Sequence, residues 1–125
     1  MPKPLTPMDA DSIWSVEVRG ESIWVVFGRL IDPHSANLAS RRFLELLEDG
    51  PAHLVFDTRE VEAYSSKARQ VWQRSLWPSR AKIRSLSVLS HSQLTRMGAM
   101  MFAAFLGLEC HVVREPAELP AHLRL

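Results

Sequence analysis

The sequence predicts a single-domain α/β fold: an N-terminal hairpin, then helix and strand in alternation, forming a mixed sheet with helices packed on it. Three observations carry this expectation. Apolar and polar residues alternate through residues 14–27, the period of a strand with one covered face. Short β-rich apolar runs recur at Leu54 to Phe56, Ile83 to Leu89 and Cys110 to Val113. Between them, apolar residues repeat at helical spacing. A chain of 125 residues suffices for one hydrophobic core and is too short for two. The domain is expected over residues 13–125, after an extended, flexible lead-in at residues 1–12 with three prolines.

In the hairpin, Trp14, Val16 and Val18 alternate with Ser15, Glu17 and Arg19, Gly20-Glu21 supplies the turn, and Ile23, Val25 and Phe27 resume the alternation. Asp32-Pro33 opens the first helix, with an aspartate cap and a proline where a missing N–H costs nothing. Ala39, Phe43, Leu46 and Leu47 share its apolar face until Gly50-Pro51 ends it. The continuous run from Leu54 to Phe56 suits a strand covered on both faces. Ser65 and Ser66 then begin a second helix, in which Ala68, Val71, Trp72, Ser75 and Leu76 repeat at helical spacing until Pro78. The strand from Ile83, a very apolar helix from Leu94 to Leu106 and the strand from Cys110 follow, and Pro116 opens a small terminal helix. Trp72 lies on an apolar stripe and is expected in the core. Trp24 and Trp77 fall off theirs and are expected at the surface, as interface anchors or as caps on the edge of the core.

Composition excludes several functions. The formal charge of +1 gives no global field toward nucleic acid or an acidic membrane. The central third is basic, but Glu60 and Glu62 interrupt it and base-stacking aromatics are missing, so a solvated face that meets an acidic protein is expected rather than nucleic acid. No run reaches the roughly 18 apolar residues of a membrane span. The N-terminus lacks the apolar centre of a secretion signal, and a lone cysteine, Cys110, suits a reducing cytoplasm. The five histidines show no metal-ligand spacing, and no glycine-rich phosphate loop is present, so neither metal nor cofactor is expected. Cys110 and His111 resemble a nucleophile and base, but neighbours on a strand face opposite ways, and no enzyme activity is expected.

Three motifs together resemble the STAS domain of bacterial anti-sigma-factor antagonists. Phe27-Gly28-Arg29-Leu30-Ile31-Asp32 looks like the family's strand and Gly-x-Leu-Asp turn, with one extra residue. Phe56-Asp57 through Tyr64-Ser65-Ser66-Lys67-Ala68 is similar to its strand, acidic turn and Asp-Ser-Ser-Gly helix start, with Ser65 in place of the Asp and Ala68 in place of the Gly. Val88 through Ser92 and Arg96 to Gly107-Leu108 is similar to its later serine-bearing loop and helix. The resemblance implies a regulatory protein-interaction module bound by a kinase-type anti-sigma factor. It implies a phosphorylation candidate at Ser66, with Ser65 beside it, and a partner surface on Asp32, Tyr64, Lys67, Arg69, Ser92 and Arg96. A serine in that place equally serves as an ordinary helix cap.

The run Met97-Gly-Ala-Met-Met-Phe-Ala-Ala-Phe-Leu106 is apolar on every side. It reads either as core or as a surface, through Met97, Met100, Met101 and Phe105, for self-association into a homodimer or for a small apolar ligand. The second of these makes a lipid-type carrier the alternative function.

Overall fold

The computed structural model of the chain describes residues 14–123. The lead-in expected at residues 1–12 lies outside the described residues. β1 (Trp14–Arg19) pairs antiparallel with β2 (Ser22–Phe27). Next come the two-residue β3 (Leu30–Ile31), α1 (Pro33–Leu47), β4 (Ala52–Asp57), the two-residue β5 (Ala63–Tyr64) and α2 (Ser66–Leu76). A 3-10 turn (Trp77–Lys82) leads to β6 (Ile83–Leu89), α3 (Gln93–Leu106) and β7 (Cys110–Val113). The main sheet has the order β1-β2-β4-β6-β7, and every pair after the hairpin is parallel. This is the mixed α/β architecture that the alternation of elements predicts.

The pleat separates two cores. Ile23, Val25, Leu54, Phe56, Leu86 and Val88 face the three helices and join their apolar stripes in the larger cluster. On the opposite face, Trp24, Val55 and Leu89 pack beneath Leu119 and Leu123. Leu119 follows one 3-10 turn, Pro116–Glu118, and Leu123 ends another, Ala121–Leu123; these turns replace the expected terminal helix. They also correct the placement of Trp24, which is 3 % exposed. β2 is an interior strand, so its second face is covered as well; the Trp24 indole donates to the Ser22 hydroxyl at 3.2 Å and the Arg19 guanidinium lies over its ring. Trp77 is exposed as expected. α3 ends at Gly107, whose φ of 70° is left-handed and whose N–H closes the helix on Ala103 and Ala104.

β3 and β5 form a separate parallel pair, with Leu30 opposite Ala63 and Ile31 opposite Tyr64. The Arg29 carbonyl accepts from Glu62 and Ala63, and that of Ile31 accepts from Ser65 at 3.1 Å. The loops after β2 and β4 are thereby held together at the entrance to α2. Two residues are too few for a periodic pattern, so this pair has no signature in the sequence.

His53, on β4, bonds the Ser85 hydroxyl through Nδ1 at 2.7 Å and lies against the His122 ring. Burial first, then His122 and Arg84, hold its pKa below the ordinary imidazole value. The fold thus disfavours the charged ring. Its stability contribution is present above the unfolded value of about 6.5 and is lost as pH falls below that toward the lower folded value. The melting temperature should therefore drop on acidification from about pH 7.5 to about 6, and His53→Gln should flatten that slope. Identical slopes in calorimetry would remove His53 as the cause.

Candidate functional site

Because β2, β4 and β6 run parallel, α1, α2 and α3 all begin from one edge of the sheet, the edge where open α/β folds meet their ligands and partners. Each first turn is closed by a side chain of its own. Asp32 Oδ1 accepts from the Ser35 N–H at 2.7 Å, with the Ser35 hydroxyl returned to the Asp32 N–H. Ser65 Oγ accepts from the Ala68 N–H at 3.0 Å, and Ser92 Oγ from the Thr95 N–H at 3.3 Å. Three of the expected partner or phosphorylation residues are therefore caps, and their side-chain oxygens are engaged locally.

Ser66 differs. It is the first residue of α2 and exposed, and its hydroxyl makes no hydrogen bond among the described residues. The two serines thus divide two tasks: Ser65 caps, and Ser66 presents a hydroxyl to solvent at the positive end of the helix dipole. Ala68 is fully buried in the core, so the residue at the family's glycine position is a packed helical one.

Of the remaining expected partner residues, Lys67 and Arg96 are exposed, whereas Tyr64 and Arg69 are half-buried. Tyr64 crosses α3 at Gly98, where a Cβ would come within 2.8 Å of its Cζ. Arg69 reaches from α2 to α3, its Nη1 lying 3.5 Å from Met101 Sδ. Met97, Met100, Met101 and Phe105 are 55, 55, 53 and 50 % exposed, so these four lie at the surface while Phe102, Ala103 and Leu106 of the same run are core. Thr95, Gly98, Phe102 and Leu106 already fill the face of α3 turned to the sheet.

An ionic network at the same edge escaped the sequence reading. Arg59 binds Asp57 at 2.8 and 2.9 Å and approaches Glu115 at 3.7 Å, and His91 binds Glu115 at 3.1 Å. Thr58 anchors the loop by donating both its N–H and its hydroxyl to the Leu89 carbonyl. The one local signal was an aspartate closing a strand; Arg59, His91 and Glu115 meet only in three dimensions.

Beneath the edge, Phe27, Phe56, Tyr64, Trp72, Gly98 and Phe102 help to line a largely apolar cavity of about 60 Å³. That is smaller than the roughly 150 Å³ void that admits a benzene ring. On β7, Cys110 and His111 project to opposite faces; burial pushes the thiol pKa up, and His111 binds Glu109 at 3.0 Å. Among the described residues no group of His, Cys, Asp and Glu is arranged to hold a metal ion, and no helix is long and apolar enough to cross a membrane.

No protein-family model and no curated protein matches the sequence. Among solved structures the chain is similar to an uncharacterized protein of the DUF3478 family from Shewanella loihica, described as having a SpoIIAA-like fold. The TM-score is 0.64 at 8 % identity, over 82 % of this chain and 86 % of that one. At this identity the likeness shows the fold: a SpoIIAA-like α/β fold, that of the anti-sigma-factor antagonists which the sequence motifs resemble.

Two stability measurements check the site. Ser65→Ala should cost about 1 kcal/mol in denaturant melts by removing the cap, and Ser66→Ala less than about 0.5 kcal/mol; equal losses would refute the division of tasks. Gly98→Ala should destabilise, since overpacking at about 1–3 kcal/mol exceeds the roughly 1 kcal/mol that Ala gains over Gly in a helix. In a Tyr64→Ala background the same change should stabilise instead, and an unchanged sign would show that Tyr64 is not what demands the glycine.

Proposed function

We propose that the chain is a non-enzymatic regulatory module of the cytoplasm that binds a protein partner at the edge where its three helices begin, and that phosphorylation of Ser66 switches this binding. The observation that carries the reading is the exposed Ser66 hydroxyl at the first position of a helix whose cap is already supplied by Ser65. A phosphate there adds about −1.5 to −2 charge. The helix tolerates it, because anions are favoured at its N-terminus. Ser66 and Arg69 stand three residues apart and so share a face of α2. The phosphate would therefore draw on the same guanidinium that an unmodified surface offers to a partner. A surface that is cationic before modification becomes locally neutral or anionic after it.

The SpoIIAA-like fold supports the reading at the level of architecture, and a kinase-type anti-sigma factor is the partner that the sequence resemblance suggests. The cavity is too small to favour the carrier alternative.

Phosphopeptide mapping of the protein purified from its native host across growth phases tests the switch. A phosphate on Ser66 is the expected result. Its absence in every phase, or its placement on Ser65 alone, would sink the proposal and leave Ser66 as an ordinary first-turn residue.

A further inference from the structure

Eight residues of α3 are exposed, and six of them are apolar. Leu94, Met97, Met101 and Phe105, at i, i+3, i+7 and i+11, form one ridge along the helix. Trp77 extends it, its ring 5.2 Å from that of Phe105. A continuous apolar surface of this kind on a small domain is a contact surface waiting for its complement.

The charge around the ridge says what the complement carries. From Ala63 to Leu108 the chain holds seven Lys and Arg residues and no Asp or Glu, so the other residues hold eight cations against all fourteen acids. α2, the Trp77 turn and α3 all lie inside this acid-free stretch. The two guanidinium groups bordering the ridge have no carboxylate partner among the described residues. Arg69 leaves its Nε–H buried without an acceptor and rests Nη1 on the weakly accepting Met101 sulfur. Arg80 stacks 3.7 Å from the Trp77 ring centre and donates to the Trp77 carbonyl.

We infer that the α2–α3 face docks an acidic amphipathic helix of a partner protein, whose apolar side chains lie along the Leu94–Phe105 ridge and whose carboxylates pair with Arg69 and Arg80. The mode is that of an amphipathic helix docked through apolar anchors at helical spacing, with charge-assisted, fork-shaped hydrogen bonds setting its register. The inference rests on the reading of the chain as an interaction module and adds the partner's chemistry. A second copy is the poorer occupant. A two-fold pairing of this face on itself would oppose cation to cation, with no acidic residue in the stretch to offset them. A lipid surface fits less well than a protein, because Met, Trp and Arg are the residue types enriched at protein interfaces and five of the seven cations are arginine.

The test is a fluorescence titration of the full chain with a labelled amphipathic helical peptide bearing leucines at i, i+3, i+7 spacing and glutamates on its flanks. A lysine-flanked counterpart of equal hydrophobicity and phosphatidylcholine vesicles containing about one-third phosphatidylserine serve as the alternatives. The acidic peptide should bind, and the lysine peptide at least about tenfold more weakly; Met101→Gln and Arg69→Gln should each weaken the acidic peptide by about tenfold, while Arg41→Gln on α1 leaves it unchanged. Met101 is exposed, so its variant should keep the wild-type melting curve and isolate the surface from the fold. Equal binding of both peptides, binding of neither, vesicle binding without peptide binding, or a dimer dispersed by Met101→Gln would each overturn the inference. Failure here beside a phosphate on Ser66 would reject this surface and leave the switch standing; success beside an unmodified Ser66 would do the reverse.

Discussion

The packing of Trp72 against the phenylalanine rings is the interaction on which the rest of the structure depends. From the middle of α2 its ring meets Phe27 of β2 at 5.9 Å, Phe56 of β4 at 5.0 Å and Phe43 of α1 at 6.4 Å, and Phe56 in turn meets Phe102 of α3 at 5.4 Å. All three helices are thus fastened to the sheet through one aromatic cluster. Such pairs contribute about 0.5–1.5 kcal/mol each beyond the area they bury. The cluster carries a cost, because the Trp72 Nε1–H is buried with no acceptor among the described residues. A lost hydrogen bond of that kind costs about 1–3 kcal/mol, less than the roughly 3–5 kcal/mol that truncating a core Trp removes.

Once the helices are fixed by their middles, their first turns have little freedom. Asp32, Ser65 and Ser92 then each satisfy a free N–H group with a side-chain oxygen, so each first turn is closed by a short local bond. The β3–β5 pair adds a backbone tie across the edge, beside that from Thr58 to Leu89, and positions Tyr64 over Gly98. An edge assembled in this way has ordered first turns and leaves the exposed Ser66 hydroxyl, without a hydrogen bond among the described residues, to report a change of charge. Local order suits a surface that is to be read by a partner, since less ordering is needed on binding.

Charge is divided along the chain with similar economy. Acidic residues lie before Ala63 or from Glu109 onward, and the helices that flank the cavity carry cations alone. The acidic β4–β5 loop and the C-terminal segment are joined by Arg59 and His91, which draws Glu115 over the end of β4. An ion pair at the surface is worth little to stability. Its effect here is positional: it holds the turns that bury Leu119 and Leu123 over Trp24 and Val55.

Sequence patterns by themselves determined the order of the five main strands and three helices, the mixed sheet, the caps at Asp32 and at the start of α2, and the core position of Trp72. Each of these is a local property, set by a period of two or of 3.6 residues or by the chemistry of one turn. Tertiary structure decided the rest. Trp24 was misplaced because alternation assumes one wet face, whereas β2 lies between two strands and under the C-terminal turns. The methionine run is apolar all round its helix, and no local pattern says which half will meet the sheet; Gly98 and Phe102 took that place and left Met97, Met101 and Phe105 outside. The division of Ser65 from Ser66 turned on which oxygen reaches the Ala68 N–H, a matter of a single residue's step around the helix. The network of Asp57, Arg59, His91 and Glu115 needed the strands in register before its members could touch, because electrostatic contact depends on distance in space and the sequence records only distance along the chain.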